Sequence, residues 1–180
     1  MKKYFISFLL LGLILDQPVF GQNKISAGVE LDVLPYLTGG YFGAVWLGKG
    51  NVRGRALYAS VNMPDFIVEE GFTNNQIKSF AVLGDYFFKS NFKGFWLGAG
   101  LVYWSGIIQS DQKIEKANYE SYLVNGSMGY NLRLGKHFYL SPWAGLSLRV
   151  EGDRNIEVDG SIYNPPVLNP ELSLKLGYQF

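Results

Sequence analysis

Cysteine is absent from the 180 residues of this chain, and histidine occurs only once, as His137. Without a thiol the chain has no disulfide, no thiolate metal site and no lipid-modified N-terminal cysteine. His137 is predicted in a tight turn, and Ser141 lies roughly 13 Å further along the next strand. A Ser–His hydrolase is therefore not expected, and the sequence predicts no catalytic residue, no metal site and no cofactor.

An excess of charge of either sign is also lacking, with 16 basic and 15 acidic residues. Lys2 and Lys3 precede the apolar run of residues 4–15, which predicts a signal peptide over residues 1–21, cleaved after Gly21. Cleavage would leave 14 basic and 14 acidic residues in a single domain, 22–180, because Lys2, Lys3 and Asp16 are removed. A nucleic-acid partner, which favours a basic protein, is not expected.

Long apolar runs are missing after residue 21, although 48% of the residues are hydrophobic and 16% aromatic. Alternating patterns take their place, as in strand one, where Ile25, Ala27 and Val29 face one way and Ser26 and Gly28 the other. The chain is therefore predicted to be all-β, an eight-stranded antiparallel up-and-down transmembrane β-barrel. The predicted strands cover 24–34, 40–48, 52–62, 77–88, 94–105, 119–134, 137–150 and 171–180.

The connections between these strands alternate in length, as expected when one rim of a barrel carries tight turns and the other long loops. Tight turns are predicted near residues 49–51, 89–93 and 135–136, and three long loops at 63–76, 106–118 and 151–170. Pro142 has no backbone donor, so a bulge is expected there. Strands two, three and five are less clear; in strand three, Arg53 and Arg55 share a face with Leu57.

The final strand resembles the last strand of bacterial outer-membrane β-barrels, which ends on an aromatic residue. One of its faces carries only apolar side chains: Leu172, Leu174, Leu176, Tyr178 and Phe180. The resemblance, to the small OmpA/OmpX-type barrels without a periplasmic domain, implies that this face is an insertion signal for the barrel-assembly machinery. It further implies a multi-pass protein of the Gram-negative outer membrane, in contact with its lipid and lipopolysaccharide, with both termini periplasmic. A soluble, lipocalin-like barrel with reversed faces is the alternative.

Charged residues on the polar face predict a charge network inside the barrel. Its members are Glu30, Asp32, Asp85, Arg133, Arg149, Glu171 and Lys175. Glu30 and Lys175 are expected to come close, because strands one and eight pair to close the barrel. The network either fills the lumen as a structural element or opens as a gate for ions. A general diffusion pore is not expected, since eight strands enclose a space that side chains can fill.

The outer loops contain candidates for surface contacts: Phe66, Ile67, Phe72, Ile156 and Tyr163. These apolar groups either stay exposed or fold down onto the barrel mouth. Asp159-Gly160 between two short extended runs predicts a hairpin over residues 156–163. The acidic residues of these loops either keep them solvated or bridge divalent cations to lipopolysaccharide phosphates.

The leading functional prediction is a non-enzymatic structural or surface-interaction protein that exposes its long loops to an unknown partner. The alternative is a conduit or binder for a small hydrophobic ligand, in a lumen lined by Trp96, Trp104 and Trp143 and left partly empty. The sequence identifies neither the partner nor the oligomeric state.

Overall fold

The computed structural model describes residues 24–180, so the predicted signal peptide lies outside the described part of the chain. Eight strands form a closed antiparallel barrel in which each strand pairs with its neighbours in sequence and the last pairs with the first. The ring consists of β1 (Ile25–Asp32), β2 (Tyr41–Lys49), β3 (Val52–Asn62), β4 (Phe72–Lys89), β5 (Lys93–Ser110), β6 (Lys116–Leu134), β7 (Phe138–Gly152) and β10 (Leu168–Gln179). The predicted fold is confirmed.

Three smaller elements lie in the connections at the rim opposite the tight turns. A one-turn helix, α1 (Val33–Leu37), follows β1, and a 3₁₀ turn (Asp65–Ile67) precedes β4. Strands β8 (Ile156–Val158) and β9 (Ser161–Tyr163) pair as a separate hairpin, here called the arm. The predicted hairpin is thereby confirmed. None of the helices in residues 24–180 has the length and apolar character needed to cross a membrane.

The barrel carries its apolar side chains on the outside. Along β2, exposed and buried residues alternate without a break. Val82 on β4, Leu101 on β5 and Leu172 on β10 are 68%, 69% and 74% exposed. Ionic groups lie inside, where Glu30, for example, is 1% exposed. This arrangement is the reverse of a soluble barrel and is the one that a lipid environment requires.

Three details of the prediction are wrong. Residues 72–76, predicted as part of the loop 63–76, belong to β4. Residues 106–118 are mostly strand, since β5 continues to Ser110 and β6 starts at Lys116. Pro142 pairs with Leu174 in the unbroken register of β7 and β10, and no bulge occurs there. Toward β6 the pairing is interrupted at Ser141 and Pro142 without a register shift, in keeping with the missing backbone N–H of proline. The bulge between β6 and β7 lies near Tyr122 instead.

Candidate functional site

The centre of the lumen holds a ring of four charged groups, here called the ion cluster: Glu30, Arg53, Arg55 and Asp85. Arg53 Nη1 lies 2.8 Å from Glu30 Oε1, and its Nη2 lies 2.8 Å from Asp85 Oδ2. Arg55 contacts the other oxygen of each carboxylate, at 3.3 Å and 3.1 Å. All four side chains are at most 1% exposed. Two positive and two negative charges therefore neutralise each other across β1, β3 and β4.

Aromatic side chains enclose this cluster from the side of the tight turns. The Tyr139 hydroxyl donates to Glu30 Oε1 at 2.7 Å and accepts from Trp46 Nε1 at 2.9 Å. The Arg53 guanidinium lies 5.2 Å from the Trp46 ring centroid and 5.0 Å from that of Phe87. Because its charges are paired and its edges packed against rings, the cluster closes the lumen as well as filling it.

Close packing against glycine brings these rings into the lumen. Gly177 pairs with Tyr139, and a Cβ atom at position 177 would lie 2.1 Å from Tyr139 Cζ. Gly28 pairs with Trp46 in the same way, with a Cβ contact of 2.5 Å. Each ring lies flat over the neighbouring strand because no side chain stands there.

Lys175 lies beside the ion cluster without joining it. Its Nζ is 4.0 Å from the centroid of Trp143 and 5.2 Å from that of Trp96. The four ion pairs found among residues 24–180 do not include the predicted contact between Lys175 and Glu30. The amino group is stabilised by two indole faces instead.

The other predicted network members occupy different levels of the barrel. Asp32 accepts from Trp143 Nε1 at 2.8 Å, and Glu171 accepts from the Ser147 hydroxyl at 2.6 Å. Arg133, near the tight turns, donates to the carbonyl of Asn91 at 2.8 Å. Arg149, at the opposite rim, donates to the carbonyl of Asp153 at 2.7 Å. Of the seven predicted residues, only Glu30 and Asp85 thus belong to the cluster.

The outer parts of three strands invert the polarity of the barrel. In register on the outer face, Phe80, Tyr103 and Tyr122 form the last aromatic row. The next outward row consists of Lys78, Ser105 and Glu120. Inside, the same stretch buries large apolar side chains, with Ile77 5%, Ile108 0% and Tyr119 2% exposed, next to small polar residues such as Ser79 and Ser121. We call residues 72–79, 104–110 and 116–121 the extension; it has the polarity of a water-soluble sheet.

The extension rises well beyond the aromatic row. From Phe80 to Phe72 the strand covers about 26 Å at its usual rise per residue. With the tilt of about 40° typical of such barrels, this corresponds to about 20 Å along the barrel axis. Strands β4, β5 and β6 therefore form a wall on one side of the barrel mouth.

The arm covers the inner face of this wall. Val158 and Tyr163, each 1% exposed, pack with Phe72, Ile77 and Ile108 in one apolar cluster. At the turn of the arm, Asp159 and Gly160 both have positive φ, as a two-residue hairpin turn requires.

The predicted surface-contact residues accordingly divide into two groups. Phe72 and Tyr163 are buried and Ile156 is partly buried against the same cluster. Phe66 and Ile67, on the 3₁₀ turn, are 86% and 53% exposed. Only these two remain available to a partner.

A buried polar contact fixes the arm to the wall. Asn75 lies at a bulge in β4; its Oδ1 accepts from the Tyr119 hydroxyl at 2.7 Å, and its Nδ2 donates to the Tyr163 hydroxyl at 3.2 Å. Burial raises the pKa of the Tyr163 phenol above its ordinary value of 10.0. A cavity of about 30 Å³ lies between these groups and Trp104. It has room for a water molecule but not for a hydrophobic ligand.

Three acidic residues of the outer connections accept hydrogen bonds from the backbone. Asp65 Oδ1 accepts from the amide of Asn74 at 3.3 Å, and Asp153 Oδ2 from that of Glu120 at 2.8 Å. Asp159 Oδ1 accepts from the amide of Glu115 at 3.1 Å. These carboxylates fix loop ends to the edges and tip of the extension.

The last strand and the single histidine meet at the tight-turn rim. Leu172, Leu174 and Leu176 point outward and are 74%, 37% and 39% exposed. Tyr178 stacks on His137 with a centroid distance of 5.3 Å, and Phe180 is 72% exposed. His137 lies in the turn before β7, as predicted, and its Nδ1 is 2.9 Å from the carbonyl oxygen of Gln179.

The comparisons with known proteins agree with this geometry. The N-terminal β-barrel domain of Pseudomonas aeruginosa OprF superposes with a TM-score of 0.59, covering 89% of this chain and 99% of that one at 15% identity. The fold is that of an eight-stranded outer-membrane β-barrel. Neisserial surface protein A (NspA) superposes with a TM-score of 0.53, covering 87% and 96% at 12% identity. No family model and no curated protein sequence matches the chain.

Two residues of the ion cluster were not predicted from the sequence. Arg53 and Arg55 alternate with Val52, Gly54 and Ala56, all of which face outward. Had these two arginines faced lipid, each would cost about 2–4 kcal/mol at the bilayer midplane. That cost is the signal that assigns them to the lumen.

Proposed function

We propose that this protein spans the outer membrane of a Gram-negative bacterium as a closed barrel, and that it acts as a surface-interaction protein rather than an enzyme. The extension and the arm would face the exterior, and the tight turns and both ends of the barrel the periplasm. The observation that carries this proposal is the inversion of polarity between the aromatic row and the row of Lys78, Ser105 and Glu120. A strand that leaves lipid for water must exchange its faces at that boundary.

The exposed apolar band supports the membrane location. Strand β6 presents Val124 and Met128, 44% and 57% exposed, between Tyr122 and Leu132. Such a band costs free energy in water and none in lipid. Outer-membrane lipid and lipopolysaccharide would be its neighbours, and the outward face of β10 would serve the assembly machinery.

The ion cluster supports a structural role for the lumen. A conduit needs an open path, whereas Trp96 is 0% exposed and the cluster side chains at most 1%. The cavity beside Trp104 is too small for a hydrophobic ligand. A closed barrel that supports an outer wall is therefore the function that the geometry favours.

Cysteine labelling on intact cells tests the proposal cleanly, because the natural chain contains no cysteine. Asn118→Cys lies on the outer face of the extension, Val82→Cys in the apolar band and Lys136→Cys in a tight turn. A maleimide attached to a polymer too large to pass through outer-membrane porins should label position 118 on intact cells and position 136 only after lysis. Position 82 should stay unlabelled by this water-soluble reagent in both samples.

Two results would contradict the proposal. Labelling at position 136 but not at 118 on intact cells would reverse the orientation. Strong labelling at position 82 in the membrane-bound protein would show that the band faces water. The cysteine-free chain is the control for labelling of other proteins.

A further inference from the structure

The side of the extension that faces β3 carries an open groove of about 390 Å³. Its polar lining consists of Thr38, Asn62, Asp65, Asn74, Asn75 and Gln76. A volume of this order lies within the range of small-molecule sites. The groove is distinct from the lumen, because the ion cluster and the arm contribute no residue to its lining.

Several polar atoms of this lining have no hydrogen-bond partner among the described residues. Asn62 uses only its Nδ2, which donates to the carbonyl of Thr38 at 3.2 Å. Asn74 uses only its Nδ2, which donates to Gln109 Oε1 at 2.8 Å. Asp65 uses only Oδ1, toward Thr73 and the Asn74 amide. The Gln76 side chain, exposed on the outer face, adds an amide that is both donor and acceptor.

We propose that this groove binds a saccharide of the cell-surface environment. Three carboxamides and a carboxylate offer acceptors for several hydroxyl donors, and Gln76 offers a donor for a ring or hydroxyl oxygen. A sugar suits an open groove because hydroxyls that remain outside it stay hydrated. Met63 and Pro64, which complete the lining, supply apolar contact for the C–H side of a pyranose.

The charge of the groove selects among sugars. Asp65 is its one carboxylate, and Glu69 and Glu70 follow on the same connection, both exposed. Acidic or phosphorylated saccharides would be repelled, so neutral sugars and amino sugars are the expected class. A Ca²⁺ ion is a poorer occupant, because it favours several carboxylate ligands and one Asp65 oxygen is already engaged.

The inference rests on the proposed function, because that function places the groove where surface saccharides occur. Binding itself can be measured on the purified barrel. Saturation-transfer NMR on protein in a detergent without a sugar headgroup measures it. The probes are cellotriose, the trisaccharide of glucosamine and the acidic sugar sialyllactose. Saturation should pass to the first two and much less to the third.

Variants locate the binding. Gln76→Leu removes a donor and an acceptor and should weaken binding about fivefold, equivalent to about 1 kcal/mol. Asp65→Asn keeps the acceptor for the Asn74 amide and should weaken binding of the glucosamine trisaccharide more than that of cellotriose. Asn118→Leu makes the same kind of change on β6, outside the groove, and should bind like the natural chain. Retained heat-modifiable migration on gels shows that each variant is folded.

The inference is overturned if the natural chain transfers saturation to none of the trisaccharides, or if folded Gln76→Leu binds them as the natural chain does. Preference for sialyllactose would overturn the charge argument. A barrel that labels on cells as proposed but binds no sugar refutes this inference alone. Sugar binding by a protein whose position 118 is not labelled on cells would refute the proposed function instead.

Discussion

Replacing Glu30 with glutamine removes one charge from the ion cluster while leaving its shape nearly unchanged. Glu30 is 2.8 Å from Arg53 and 3.3 Å from Arg55. With an effective dielectric constant of about 20, each of these two ion pairs has an attraction of about 5–6 kcal/mol. Desolvation offsets much of that attraction in the intact cluster, but the variant retains two buried guanidinium groups for one carboxylate. We expect the free energy of unfolding to fall by about 3–5 kcal/mol.

The measurement is a urea titration of the barrel refolded into lipid vesicles. Gel migration without boiling reports the folded fraction, and tryptophan fluorescence reports the combined surroundings of the four tryptophans, one of which, Trp46, lies against Arg53. Glu70→Gln makes the same chemical change at an exposed position and should shift the free energy by less than about 0.5 kcal/mol.

A double variant distinguishes the effect of an unbalanced buried charge from the effect of lost contacts. Glu30→Gln combined with Arg55→Gln leaves Arg53 and Asp85 as a neutral pair, joined at 2.9 Å and 2.8 Å. The double variant should be destabilised by about 1–3 kcal/mol less than the sum of the two single variants. If the losses simply add, or if Glu30→Gln unfolds at the same urea concentration as the natural chain, the reasoning about the cluster is wrong.

Two other predictions concern the packing of the rings and the attachment of the arm. Gly177→Val should prevent folding or abolish the heat-modifiable form, because Tyr139 occupies the space of the new side chain. The control Gly126→Val, whose side chain points into open space, should fold normally. Equal folding of the two variants would refute the packing argument. Since burial raises the pKa of Tyr163, its contribution to stability is complete below pH 10.0 and is lost as the pH rises through the folded-state pKa. Protease cleavage of the arm should therefore increase in that alkaline range. Tyr163→Phe should reduce this increase, and an unchanged pH profile would contradict the assignment.

The barrel was predictable because lipid imposes one simple pattern on every strand. Alternation, tight turns and the length needed to cross the band fixed the number of strands and their order. The extension was not predicted, since residues 106–118 no longer show an apolar outer face. There the polarity of the two faces is exchanged, since Ile108 points inward and Glu120 outward. A segment without an apolar outer face lacks the pattern of a lipid-facing strand and therefore resembles a loop.

The candidate site was predicted only in part, for a physical reason. Glu30 and Asp85 carry unambiguous charges on polar faces, and both were assigned to the lumen. Their partners Arg53 and Arg55 share a face with Leu57, so the local pattern did not indicate whether this face points into the lumen or toward lipid. Which residues meet inside a barrel depends on the register between strands, and one sequence contains no direct record of it. The groove near Gln76 likewise arises from three separate segments of the chain.

The carboxylates at the two borders of the extension have a consequence for pairing between copies of the chain. A sheet with free backbone amides and carbonyls along its border recruits further strands and polymerises. Here Asp65 occupies the amide of Asn74 on one border, and Asp153 bonds to both the amide and the carbonyl of Glu120 on the other. These contacts occupy part of the backbone along both borders, so fewer free amides and carbonyls remain there for a strand of a neighbouring copy to pair with.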